Sequence, residues 1–216
     1  MKEAQLNLFD LDDLDVSHIL ESQIKNDEVV DLSQITLRFQ ESSFFNKKLN
    51  KTLKRLSCLQ PDTWFMFKNK KGAAKPELDR PEGFPYVKNI RTGTELKART
   101  TRDGVYPTFS IPYNRKWLNQ ENKHIKGLTL RDDGKQCAAI DIAAHKLTAL
   151  CFLENPDTET YNTVEHKFNE EKGFSDKLDY RPEQLMWLPM GENIKNAKKE
   201  KKLREAALEY SEDYSI

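Results

Sequence analysis

Three side chains towards the C-terminal end of the sequence carry the groups that metal-assisted hydrolysis needs. Glu165 stands beside His166 in Thr163-Val164-Glu165-His166-Lys167, and Asn193 follows in Gly191-Glu192-Asn193. A carboxylate and an amide oxygen are hard donors of the kind Mg2+ takes, and an ion that keeps several waters leaves room for phosphate oxygens. A neighbouring imidazole can then take a proton from an attacking water while the metal stabilises the leaving oxygen. The chemistry expected of such a set is phosphodiester hydrolysis.

For these groups to meet, the chain around them must fold as strand, loop, strand and helix. Val164 to His166 reads as a short strand, Leu185 to Leu188 as a second strand, and a helix opens at Gly191 and runs to about Tyr210. This ββα unit brings a carboxylate from its first strand and an Asn from the first helical turn around one cation. Trp187 is expected in its core. Upstream, apolar residues Phe45, Leu49, Leu53, Leu56 and Leu59 recur at helical spacing among Lys47, Lys48, Lys51, Lys54 and Arg55, which predicts a basic amphipathic helix over Phe44 to Leu59 ended by Pro61. Thr63 to Phe67, Tyr86 to Ile90, Glu95 to Arg99 and Val105 to Ile111 read as strands, the last three as a small meander. Gly127 to Leu130 and Gln136 to Ile142 flank Asp132-Asp133-Gly134 as a hairpin, and Ala143 to Leu153 follows as a short apolar helix. Ser17 can cap a helix to Asn26, and Lys68 to Arg80 reads as a loop.

Four pieces in order give the C-terminal region a likeness: A-H-K-L-T-A-L-C-F-L-E-N-P (Ala144 to Pro156), T-V-E-H-K, D-Y-R-P-E-Q-L-M-W-L-P (Asp179 to Pro189) and G-E-N-I-K-N-A (Gly191 to Ala197). Over about a quarter of the chain this resembles the HNH endonucleases, in the branch found in phage and intron-encoded homing endonucleases. The resemblance implies an HNH ββα-metal unit in an α+β fold. It implies that His166 is the general base, that Glu165 and Asn193 hold Mg2+ or Mn2+, and that Gln184 positions the histidine loop. His145 matches an upstream His that contacts phosphate or packs. With His145, the residues Arg181, Lys195, Lys198 and Lys199 are the expected contacts to double-stranded DNA. The chain departs from the pattern at Glu165, where Asp is common, and at Gln184, where Asn is usual, and it lacks the Gly of the H-x-D-G-N pattern after His166. The alternative is therefore an HNH-like scaffold that binds DNA or a sliding clamp without cutting.

The domain organisation expected is a flexible acidic arm (1–16), a helical basic region (17–85), a β-hairpin module (86–142), the HNH unit (143–210) and a tail (211–216). Formal neutrality, 35 basic against 35 acidic residues, is a cancellation. Residues 1–31 hold nine acids against Lys2 and Lys25, a net of -7, while Asn193 to Arg204 holds six basic residues and Glu200, a net of +5. Such segregation fits a polyanion-binding body with an acidic appendage, although charge runs also serve as plain solvated faces. In the arm, Gln5-Leu6-Asn7-Leu8-Phe9 resembles the pentapeptide with which bacterial replication and repair proteins dock on the sliding clamp. Gln5, Leu6, Leu8 and Phe9 are its contact residues. The N-terminus has no apolar run of signal-peptide type, no stretch is long and apolar enough for a membrane span, and three scattered cysteines fit a reducing compartment. The expected setting is the cytoplasm of a bacterial or phage-infected cell.

Overall fold

The computed structural model describes residues 27–39, 47–69, 83–100, 106–112, 139–169 and 174–212. Among them helices and strands alternate in an α+β arrangement. The expected arm with Gln5, Leu6, Leu8 and Phe9, the helix from Ser17 to Asn26 and most of the 127–142 hairpin lie outside the described residues.

Strands β1 (Asp27–Asp31), β2 (Trp64–Asn69), β3 (Tyr86–Asn89) and β4 (Glu95–Leu96) form one antiparallel sheet in that order. β2 is buried on both faces, as its Trp-Phe-Met-Phe run demands, and successive side chains leave opposite sides of the pleat. Trp64 and Met66 join the main core, whereas Phe65 and Phe67 form a second cluster with Tyr86 and Ile90. Phe67 stacks on its cross-strand partner Tyr86 at 5.1 Å. The turn from β3 to β4 closes on Asn89, whose Oδ1 accepts from the backbone N–H groups of Arg91 and Thr92. Gly93 there takes a φ of 71°, a conformation that favours a residue without a Cβ.

A second sheet runs β5 (Arg99–Thr100), β6 (Pro107–Pro112), β7 (Ala139–Ala143), again antiparallel. The strand expected over Glu95 to Arg99 is thus two short strands in different sheets, and the small meander is divided between them. The pairing partners are far apart in sequence, and no local pattern records the choice. Pairing of β2 with β3 also runs across the expected boundary between residues 85 and 86, and the 17–85 segment, read as a helical basic region, contributes the unexpected strand β1 besides β2, which lies at the strand expected over Thr63 to Phe67.

Short helix α1 (Ile35–Arg38) and helix α2 (Lys47–Leu56) cover the main core. Leu49, Leu53 and Leu56 of α2 point inward while Lys51 and Lys54 stay exposed, as the spacing predicts. Helix α3 (Ala144–Phe152) follows β7 directly and buries nearly every side chain, including His145 and Thr148. Arg38 donates to the carbonyl of Cys151 at 2.8 Å near the C-terminal end of α3, a carbonyl-rich end that favours a cation. β8 (Thr163–His166) pairs with β11 (Leu185–Leu188), β9 (Phe168–Asn169) with β10 (Phe174–Ser175), and the long helix α4 (Met190–Glu212) follows β11. One apolar core runs from Val30 through Phe109, Ile142 and Leu147 to Trp187, so the N-terminal sheet and the C-terminal hairpin share it. Among the described residues no helix is long and apolar enough to cross a membrane.

Phe109 is fully buried on β6 and meets the ring edge of Tyr180 at 5.9 Å. We predict that Phe109→Ala lowers unfolding free energy by about 3–5 kcal/mol through lost burial and the cavity left. Leu37→Ala, at a side chain 55% exposed, should change it by less than about 0.5 kcal/mol. Urea unfolding of the two variants checks the contrast.

A candidate catalytic cleft beside the β8–β11 hairpin

In the β8–β11 register His166 opposes Leu185 and Glu165 opposes Met186. One more bond, Lys167 N–H to the Gln184 carbonyl at 2.8 Å, closes the end of the hairpin. Gln184 thereby anchors the loop after His166 through its backbone. Because neighbouring strand residues face opposite ways, Glu165 and His166 enter different surroundings.

Glu165 turns towards α4. Its Oε1 accepts from the His166 backbone N–H at 3.0 Å and from the Lys177 ammonium at 2.8 Å. The same ammonium lies 3.8 Å from Oε2 of Glu200 on α4. Glu200 is held independently by Ser175, whose N–H and hydroxyl donate to Oε1 at 2.9 and 3.0 Å. Two carboxylates therefore converge on one cation.

His166 turns towards α3 and the start of β6. Its ring stacks on Tyr106, with centroids 5.6 Å apart and planes 19° apart, and lies 5.1 Å from the ring of His145. Both imidazoles are 4% exposed. His145 Nδ1 and His166 Nε2 have no hydrogen-bond partner among the described residues. Burial, joined by the Lys177 charge, lowers the pKa of His166 to about 4, against the opposing pull of Glu165, Asp179 and Asp176. Burial and the neighbouring His166 lower His145 to about 2. Both shifts leave the rings neutral at pH 7, so each imidazole keeps one unprotonated ring nitrogen.

His166 borders two hollows. The larger, about 280 Å3, lies between the hairpin, the β9–β10 ribbon and α4, and its polar lining includes Glu165, Asn196, Lys199 and Glu200. The smaller, about 70 Å3, is bordered by Gln184, Asp176, Asp179 and Arg181. Arg181 is committed to a two-pronged pair with Asp179 and lies over the Phe84 ring at 5.4 Å, which braces the loop against the chain ahead of β3.

The chain matches no family, no curated protein and no solved structure. The case for a site therefore rests on the residues themselves. Of the set expected from the sequence, Glu165, His166 and Lys199 border the larger hollow, and Gln184 and Arg181 the smaller. His145 packs behind His166. Lys195 and Lys198 are exposed on α4. Asn193 is half-buried in the first turn of α4, where its N–H donates to the Pro189 carbonyl at 3.1 Å, and it is in the lining of neither hollow. Lys177, Ser175, Asn196, Glu200 and Tyr106 were not expected. Glu200 alone left a trace, as the single acid in a basic stretch.

Among the described residues no group of three or more His, Cys, Asp or Glu is placed to hold a metal ion. Mg2+, however, commonly uses only one or two carboxylates and completes its shell with water and phosphate oxygens. Glu165 and Glu200, converging on an ammonium, fit that donor chemistry.

The buried histidines also set a pH dependence. Their folded pKa values lie below the unfolded value of 6.5, so their contribution is fully present above that pH and is lost as acid protonates the unfolded chain. We predict that His145→Gln flattens the fall in stability between about pH 6 and pH 4 by up to ~1.4 kcal/mol per pH unit relative to wild type. Urea unfolding across that window decides it; identical slopes would contradict the buried, neutral imidazole.

Proposed function

We propose that this protein is an HNH-like endonuclease that hydrolyses DNA phosphodiester bonds. The observation that carries the reading is the placement of Glu165 and the neutral His166 at the closed end of one hairpin, bordering a hollow whose far wall is the lysine-rich helix α4. A resemblance to HNH endonucleases over the same residues supports it, as does the net of +5 from Asn193 to Arg204. Phosphate neutralisation by Lys195, Lys198 and Lys199 gives affinity without sequence preference.

In this reading Glu165 holds Mg2+ or Mn2+, with Asn193 as helix-borne partner by resemblance and Glu200 by position. When bound, the ion supplies Lewis-acid stabilisation of the developing charge on the phosphate and leaving oxygen. His166 takes the proton of an attacking water. The water oxygen bonds to phosphorus, the bond to the 3′ oxygen breaks, and that oxygen is protonated from solvent, leaving a 5′ phosphate and a 3′ hydroxyl. Tyr106 and His145 keep the His166 ring from turning, and Gln184 fixes its loop. The setting that suits the sequence is the cytoplasm of a bacterial or phage-infected cell, with residues 5–9 docking on a sliding clamp.

One observation favours a second reading, a DNA-binding or clamp-associated accessory protein that does not cut. The Lys177 ammonium already neutralises Glu165 at 2.8 Å, so the carboxylate has a partner without any metal.

We predict metal-dependent nicking of supercoiled plasmid by the wild type and a loss of about 10²–10⁴-fold with His166→Ala, the usual size of a general-base contribution. Equal, metal-independent backgrounds from both proteins would leave only the accessory reading. Separately, capture of a bacterial sliding clamp should disappear when Leu8→Ala and Phe9→Ala are combined; capture unchanged by the pair would remove the clamp from the proposal.

A further inference from the structure

Phosphodiester hydrolysis accounts for the polar wall of the larger hollow but not for its apolar one. Among the described residues, the large apolar side chains left exposed are Leu37 and a set that falls entirely between residues 168 and 203. Single exposed apolar residues are ordinary, whereas a group that meets around one concavity marks a binding surface. Phe168, Met186 and Leu203 belong to that set and line the hollow of about 280 Å3. They come from three elements, β9, β11 and α4.

Strand pairing puts two of them there. Met186 opposes Glu165 in the β8–β11 hairpin, and Phe168 opposes Ser175 in the β9–β10 ribbon. Directly opposed residues share one face of a ribbon, and both pairs line the hollow. On α4, Asn196, Glu200 and Leu203 follow at i, i+4 and i+7, which is one face of a helix. Phe168 is 50% exposed, so its ring is held by the ribbon with half of its surface open to water.

Charge narrows the kind of ligand. The two acids of the lining are already engaged, Glu165 by Lys177 and Glu200 by Ser175 and Lys177. Lys199 is exposed in the same lining, and Lys195, Lys198 and Lys202 stand exposed beside it on α4. A row of cations along an apolar hollow matches a ligand that joins a run of anions to flat apolar faces. Duplex DNA keeps its base faces stacked inside and is met by polar, strongly basic surfaces. An unpaired strand presents both features. Sites for it combine a cationic track for the backbone with aromatic side chains on which bases stack. At about 280 Å3 the hollow stands at the lower end of small-molecule pockets, roughly 300–1,000 Å3, which suits one base.

We propose that this hollow seats an unpaired nucleobase, stacked on Phe168 and flanked by Met186 and Leu203, while Lys195, Lys198 and Lys199 follow the phosphates of the same strand. The substrate class is then DNA whose bases have left the helix, either a single strand or one extrahelical nucleotide. The inference rests on the nuclease reading for bringing DNA to this cleft, and it names which form of DNA is taken. Nicking of supercoiled plasmid is compatible with it, because negative supercoiling favours local strand opening.

The test is fluorescence anisotropy with the full chain in EDTA at one fixed salt concentration. The probes are a labelled 20-nucleotide DNA strand, its duplex, and that duplex with one central bulged nucleotide. The single strand should bind about tenfold or more tighter than the plain duplex. Phe168→Ala should weaken binding of the strand by about 5–150-fold, the size of one base–aromatic stack, and change duplex binding by less than about twofold. Phe168→Tyr, which keeps the ring, should restore the preference. Circular dichroism checks folding, and Leu203→Ala is the second variant if Phe168→Ala is unfolded. A bulged duplex bound like the strand supports a single extrahelical nucleotide; one bound like the plain duplex supports a continuous strand. Duplex bound as tightly as the strand, no binding of the strand, or a Phe168→Ala effect that is absent or equal on both forms would each overturn the proposal. Cleavage assays with Mn2+ on the same DNAs keep the two ideas apart. Ring-dependent binding of the strand without cleavage removes the nuclease reading and keeps the base site. Metal-dependent cleavage of strand and duplex alike, indifferent to Phe168, does the reverse.

Discussion

An ammonium shared by two carboxylates fixes how the β8–β11 hairpin meets the long helix α4. Glu165 comes from the hairpin, Glu200 from the helix and Lys177 from the stretch after β10, so one cation ties together three segments that are not neighbours in sequence. Removing one member of such a partly buried set leaves the others uncompensated, which is costlier than the net worth of the pair. The hollow beside His166 lies along this contact, and Ile194 and Leu203 on the helix remain exposed.

The opposite face of β8 is organised by burial instead of charge. His166 meets Tyr106, which leads into β6, and His145, which opens α3. Three rings from three elements lock one another, and the core beneath them continues through Phe109 and Leu147 to the N-terminal sheet. An imidazole packed this way is neutral near pH 7 and cannot turn freely. Both properties suit a base that must meet a water in one fixed geometry. The hairpin thus carries adjacent residues into two environments, one ionic and one aromatic, and the difference follows from strand alternation alone.

Elements set by local periodicity were legible in the sequence. Helices α2 and α3, strands β8 and β11 and the start of α4 fall within a few residues of where the sequence places them, and for α2 the reason is an apolar face that recurs at helical spacing. Sheet membership was not legible. Glu95–Leu96 and Arg99–Thr100 are separated by two residues, yet they join different sheets through partners that only the folded chain brings near. The cleft divides in the same way. Glu165 and His166 stand out as an acid beside a histidine, and they do border the hollow. The helix residues that face them are Asn196 and Glu200, one and two turns beyond Asn193. Helical spacing puts all three on related faces, but how far along its axis α4 meets the hairpin is decided by Lys177 and Ser175, and no pattern in the sequence links those residues to position 200.

The central claim is that the cleft beside His166 holds a divalent cation on Glu165. Diffraction from crystals of the full chain soaked in Mn2+, with anomalous data collected at the manganese edge, tests it directly. The account predicts an anomalous peak in contact with the Glu165 carboxylate. No peak there at saturating Mn2+ would contradict it.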